Sequence, residues 1–127
     1  MTQKNTEFLY KEITEQIIGA AFEVYKVLGY GFLEKVYHKA LVVELKLRRL
    51  PIEEEYAIKV IYKNETVDEY YADIFVERKV IVEIKVDDKY NSQHEAQLLN
   101  YLKATGIKIG LVINFGKSKC EFKRLIF

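Results

Sequence analysis

The segment Asp73-Ile-Phe-Val-Glu-Arg-Lys-Val-Ile-Val-Glu83-Ile-Lys85 places an acid ahead of an apolar run that carries a Glu-x-Lys. From Val80 to Val86 the even positions are aliphatic, Val80, Val82, Ile84 and Val86, and the odd positions hold Ile81, Glu83 and Lys85. Side chains alternate across a strand, so Glu83 and Lys85 project from one face while an aliphatic stripe covers the other. Tyr71 to Val76 reads as a preceding strand that can pair with this one as a hairpin and add the Asp73 carboxylate to that of Glu83. The connection decides whether it does. A two-residue turn at Arg78-Lys79 pairs Glu77 with Val80 and sends the two acids to opposite faces. A three-residue loop over Glu77 to Lys79 sets Asp73 across from Glu83, one over Arg78 to Val80 sets it across from Lys85, and a bulge or splayed end serves equally.

Half of the 127 residues are apolar, enough for one compact domain over 1–127 with a modest core. Twenty Lys and Arg nearly balance nineteen Asp and Glu, so no global field announces a polyanion, and any nucleic-acid contact must rest on local patches. The single cysteine, Cys120, excludes an intramolecular disulfide framework and fits a reducing compartment. It has no CxxC partner and is assigned no chemistry. No apolar run approaches the roughly 18 residues of a membrane span and no charged start precedes an apolar segment, so a cytoplasmic protein without membrane contact is expected.

Before the hairpin, Asn5 or Thr6 can cap a helix whose apolar stripe is Leu9, Ile13, Ile17, Ala20, Ala21, Val24 and Leu28. Gly29-Tyr30-Gly31 ends it. A second helical pattern, Leu33, Val36, Tyr37, Ala40, Leu41 and Leu47, stops before Pro51. Tyr56 to Tyr62 and Thr66 to Val76 are rich in strand formers around a turn at Lys63-Asn64. Beyond Val86, a polar loop leads to Ser92-Gln-His-Glu95, which has capping-box spacing, and to a helix ending near Thr105 with Gly106 as its left-handed terminator. Ile107 to Phe115 reads as a buried strand and Lys119 to Phe127 as a closing one. The expected class is α/β (α+β), order ααβββαββ.

An acid on the second strand, Glu-x-Lys on the third, then a crossover helix and another strand resemble the PD-(D/E)xK, restriction-endonuclease-like nuclease fold, which implies a mixed central sheet flanked by helices. Gly31-Phe-Leu-Glu34-Lys-Val-Tyr37 resembles the Gly-x-x-Glu-x-x-Tyr signature of the small GxxExxY proteins, as do Gln97-Leu-Leu-Asn-Tyr101, Gly110 and Asn114-Phe115-Gly116. Ala72 stands where the superfamily name puts proline, a position that contributes backbone shape rather than a ligand.

The resemblance implies phosphodiester hydrolysis in DNA or RNA with Mg2+ or Mn2+. It makes Asp73 and Glu83 metal ligands, with the Ile84 carbonyl a third and Glu34 a direct or water-mediated one. Lys85 orients the attacking water or stabilises transition-state charge. Gln97 and Tyr101 resemble a Gln-x-x-x-Tyr element that some of these nucleases place beside the metal. Glu34 is also favoured locally, by the dipole at the start of its helix, and Tyr37 serves equally as a core residue with its hydroxyl on the rim; Glu34, Tyr37, His38 and Leu41 share one stripe.

His94, Gln97 and Tyr101 form a stripe expected to be polar, opposite Ala96, Leu99 and Leu102, and His94 alone reads as an ordinary surface histidine. The clusters Lys46/Arg48/Arg49 and Lys117/Lys119/Lys123/Arg124 suit phosphates or open solvent, and Glu53-Glu54-Glu55 repels nucleic acid from its side of the molecule. The competing reading is a non-catalytic module that binds a protein or nucleic acid on a retained nuclease fold. A homodimer, with residues 119–127 as the pairing edge, would present two sites to one substrate.

Overall fold

The computed structural model describes residues 9–127; the expected cap at Asn5 or Thr6 lies outside them. The elements are α1 (Lys11–Leu28), α2 (Glu34–Leu47), β1 (Ile52–Tyr62), β2 (Glu65–Val76), β3 (Val80–Lys85), α3 (Gln93–Thr105), β4 (Ile109–Phe115) and β5 (Cys120–Ile126). This is the ααβββαββ order read from the sequence. The five strands lie in the order β1-β2-β3-β4-β5, and only β3 and β4 are parallel, because α3 carries the chain back across the sheet between them. No described helix is long and apolar enough to cross a membrane.

The helices cover both faces. Ile17, Ala20, Ala21 and Val24 of α1 and Tyr37, Leu41, Val42 and Leu45 of α2 pack on Val80, Val82 and Ile84 of β3 and on Ile109, Leu111 and Ile113 of β4. The even-numbered stripe of β3 is therefore the floor beneath α1 and α2. On the other face Leu98, Tyr101 and Leu102 of α3 meet Ile58, Phe75, Ile81 and Val112. Gly110 makes that approach possible: a Cβ there would stand 2.8–3.0 Å from three Leu98 side-chain atoms.

The α1–α2 connection is held by Tyr37, whose fully buried ring stacks on Phe115 at 4.5 Å and whose hydroxyl donates to the Gly29 carbonyl. Gly29 (φ 71) and Gly31 (φ 113) supply the left-handed backbone of this loop. Its outcome is that Glu34 becomes the first residue of α2.

Three local expectations fail. β1 starts at Ile52, four residues earlier than expected, because Ile52, Glu53 and Glu54 pair with Val76, Phe75 and Ile74. Ser92 makes no side-chain cap; Asn91 Oδ1 accepts the Gln93 N–H at 2.9 Å instead, and Glu95 is taken by the Tyr90 hydroxyl at 2.7 Å. The buried face of α3 is Leu98, Tyr101 and Leu102, whereas Ala96 and Leu99 are exposed. Tyr101 thus belongs to the packing face, its ring 5.3 Å from that of Tyr70.

Candidate active site

The β2–β3 hairpin pairs Val76 with Val80, Phe75 with Ile81 and Ile74 with Val82. Its loop is Glu77 to Lys79, with Glu77 and Arg78 at φ 51 and 53 and the Lys79 N–H bonded to the Val76 carbonyl at 3.0 Å. That register carries Asp73 opposite Glu83, but the backbone ladder stops one residue short. Side chains take over: Glu83 Oε1 accepts the Asp73 N–H at 3.1 Å and Asp73 Oδ2 accepts the Ile84 N–H at 2.7 Å.

The other edge of Asp73 is also broken. β1 pairs Glu54 with Ile74 and Tyr56 with Ala72, skipping the rung between, where Glu55 has φ 50. A glutamate in left-handed backbone within a strand is strained, and its effect is a change of face. Ala72 packs with the α3 layer while Ile74 packs with the α1–α2 layer, although two residues along a regular strand share a face. Asp73 sits at the crossing point between the two layers.

The carboxyls behave as a crowded group. Glu83, 3% exposed, is pushed up to about 8, first by burial and then by the charge of Asp73, with the Asp73 N–H and Lys85 opposing. Burial also raises Asp73, against the Ile84 N–H, His38 and Lys85. Glu34 is exposed by area, yet partial loss of water around its carboxyl, followed by the field of Asp73, lifts it too. Tyr101, 5% exposed, is raised to about 12 by burial, then by Glu83 and Asp73, so its hydroxyl keeps its proton at neutral pH.

Lys85 donates to Gln97 Oε1 at 3.2 Å, which joins the Glu-x-Lys strand to α3. Asp73, Glu83, Lys85, Gln97 and Tyr101 therefore gather on the α3 side and Glu34 approaches from α2. His94 is not a free surface group: its Nε2 lies 2.6 Å from Asp87 Oδ2. Asn114, 1% exposed, fixes the Asp87 backbone, accepting from its N–H and donating to its carbonyl at 2.9 Å each. A side chain at Gly116 would meet the Asp88 and Lys119 carbonyls at 3.0 Å and the Asn114 amide at 3.1 Å. The Asn114-Phe115-Gly116 stretch, which the sequence reading noted as a resemblance without a role, thus anchors the loop after β3.

On the α2 side a groove of about 220 Å³ has one wall of Glu34, Lys35, His38 and Lys39 and another of Glu54, Glu55 and Asp73. His38 spans it, 3.0 Å from Glu54 Oε1. Sequence reading placed His38 on the Glu34 stripe without giving it a role. It read the Glu53–Glu55 run as repelling nucleic acid from its side of the molecule; Glu53 pairs with Arg78 at 2.6 Å, and Glu54 and Glu55 line the groove. Buried Cys120, its thiol pushed up to about 12 by burial, is inert.

Among the described residues no three His, Cys, Asp or Glu side chains are drawn close enough to form a ready-made metal cage. The expected Asp73, Glu83 and Glu34 set is not pre-assembled as one cluster; Asp73 and Glu83 each turn one oxygen to a backbone N–H group. The donors present still suit a hard divalent ion: all are oxygens, and burial, the first cause of the raised Asp73 and Glu83 carboxyls, disfavours their charge unless a cation offsets it.

Comparison with known proteins agrees with this fold. A search of curated proteins finds no match. The crystal structure of SSO0001 is similar to this chain, with a TM-score of 0.57 and 17% identity, covering 96% of this chain. This chain in turn spans 61% of the length of SSO0001. The sequence model of the PD-(D/E)XK nuclease superfamily matches residues 11–125, and by that match across nearly its whole length the chain belongs to the PD-(D/E)XK nuclease superfamily.

Proposed function

We propose that this protein is a divalent-metal-dependent nuclease hydrolysing phosphodiester bonds in DNA or RNA, of the GxxExxY kind suggested by Gly31, Glu34 and Tyr37. The observation that carries the reading is the pair of carboxylates, buried Glu83 and half-buried Asp73, set across from each other where the ladder breaks, with Lys85 beside them. Mg2+ or Mn2+ would be held by Asp73 and Glu83, with the Ile84 carbonyl and, directly or through water, Glu34. When bound, such an ion offsets charge on phosphoryl oxygens and makes water acidic enough to attack at neutral pH.

The chain's own groups do the rest. Glu83, pushed up to about 8 by burial and then by Asp73, favours its protonated form near pH 7 in the metal-free protein and would release that proton on becoming a ligand. Lys85, steadied by Gln97, places an ammonium where it orients the attacking water and stabilises the charge that grows in the transition state. Tyr101 offers a protonated hydroxyl to the same space.

Purified protein with Mg2+ or Mn2+ should cut members of a panel of single-stranded and duplex DNA and RNA. Asp73→Ala and Glu83→Ala should lose activity and metal-dependent stabilisation together. Lys85→Ala should keep the stabilisation and lose only rate. Metal binding without cleavage of any substrate, or a Lys85→Ala enzyme as fast as wild type, would replace the nuclease with the non-catalytic binding module.

A further inference from the structure

We infer that the substrate enters this site as an unpaired strand, with bases stacked on Phe32 and Tyr71 rather than held in a duplex; the inference rests on the nuclease reading above. Phe32 stands two residues before Glu34 and is 47% exposed; Tyr71 stands two residues before Asp73 and is 53% exposed. Each ring thus stands two residues along the chain from an acid, Glu34 or Asp73, that lines the groove between α2 and the β1–β2 ribbon. Tyr71 pairs with Ala57, two residues beyond Glu55, on the ribbon face opposite buried Ala72 and so on the side of α2. Exposed rings at a backbone-tracking groove are how proteins hold single strands, because every base has a face to stack.

Charge argues the same way. Lys35 and Lys39 are one helical turn apart on the α2 wall, with Cβ atoms about 6 Å from each other, and make no salt bridge to a described residue. The facing wall is acidic at Glu54 and Glu55; the ribbon beyond it exposes Glu65, Asp68 and Glu69, the last bonded by the Tyr71 hydroxyl at 3.1 Å, together with Lys59 and Lys63. One phosphate backbone has cations to follow; a second would run against carboxylates. The larger basic clusters lie elsewhere. Lys46, Arg48 and Arg49 are at the far end of α2, about 20 Å from Glu34 at 1.5 Å per residue, with Arg48 bound to Glu44 and Gln16. Lys119 and Arg124 flank or lie on β5, three strands from β2, with Arg124 held by the Leu9 carbonyl.

The test is fluorescence anisotropy of labelled 12-mers in Ca2+, which separates binding from cleavage, with single-stranded DNA, single-stranded RNA and the blunt duplex of the same sequence. The unpaired strands should bind at least tenfold more tightly than the duplex. Tyr71→Ala should weaken them by about tenfold, as loss of one stacked base predicts, while Tyr71→Phe binds as wild type. Phe32→Ala should act similarly; Phe32 also rests edge-on against Tyr37 at 6.2 Å, so exposed Tyr71 provides the cleaner variant. A duplex bound as tightly as the single strands, or Tyr71→Ala binding unchanged, overturns the inference. Asp73-dependent cutting of a tightly bound duplex overturns it while upholding the nuclease; Tyr71-dependent binding of single strands without cleavage upholds it against the nuclease.

Discussion

Glu83→Gln should make the metal-free protein more stable at alkaline pH, and the size of the gain can be worked from the site. The substitution keeps an oxygen to accept the Asp73 N–H and removes only the ionisation. Burial and Asp73 raise the Glu83 carboxyl from 4.5 to about 8 in the folded protein. A carboxyl raised on folding favours the folded state below its unfolded value, and that advantage is lost as pH climbs toward the folded value. At about 1.4 kcal/mol per pH unit, tapering near each of the two pKa values, wild type should lose about 3 kcal/mol relative to Glu83→Gln between pH 4.5 and pH 7, and about 4 kcal/mol by pH 8. Asp73 and Glu34 are raised in the same direction but remain in both proteins; with Glu83 permanently neutral, Asp73 ionises more easily, which widens the gap. Urea denaturation in EDTA at pH 4.5, 6, 7 and 8 measures it. Adding Mg2+ at pH 8 should then rescue wild type and leave the variant unchanged. Parallel stability curves for the two proteins across this range would refute the reasoning, since Glu83 would then ionise as freely in the fold as out of it.

Gly110→Ala should destabilise by about 1–3 kcal/mol in thermal or chemical unfolding, because its methyl would stand under 3 Å from the packed Leu98 side chain. Asn114→Ala should cost about 2–4 kcal/mol, as both Asp87 backbone groups lose their partner; Asn114→Asp, which keeps the acceptor, should fall between it and wild type. Glu55→Gly should raise metal-free stability by about 1 kcal/mol by relieving left-handed backbone; an unchanged or lower melting temperature would mean the strain is compensated locally.

The helical layer over β3 was readable because its periodicity is unmixed: Ile17, Ala20, Ala21 and Val24 bury the stripe that spacing alone picks out. The hairpin was readable as a short set of alternatives, one of which, the three-residue loop, the chain adopts. α3 was misread because tyrosine counts as polar by its hydroxyl and packs by its ring; Tyr101 lies inward while Leu99 stays in water. The start of β1 was lost in three successive glutamates, of which Glu53 and Glu54 take strand conformation from pairing with Phe75 and Ile74 rather than from their own preference. Nothing local marks Glu55 as left-handed, since the position carries no glycine or asparagine. The His94–Asp87 and His38–Glu54 pairs join residues on different elements, a proximity that only tertiary packing creates.

That unmarked turn of backbone at Glu55 accounts for how two helical layers serve one site. In a regular sheet the Asp73 and Ile84 N–H groups would bond to neighbouring carbonyls, and neither would be free for a carboxylate. Asp73 would also lie wholly on one face, with α2 and its acid on the other. Breaking both ladders at Asp73 releases its N–H to Glu83 and the Ile84 N–H to Asp73, so each acid is aimed by the other's strand. It also sets Asp73 at the point where Ala72 faces α3 and Ile74 faces α2. From there its charge reaches Glu34 on one side and Tyr101 on the other, while Lys85 acts on all three carboxyls. The strain is confined to a few residues, and the regular pairing of Phe75 with Ile81 and of β3 with β4 holds them in place.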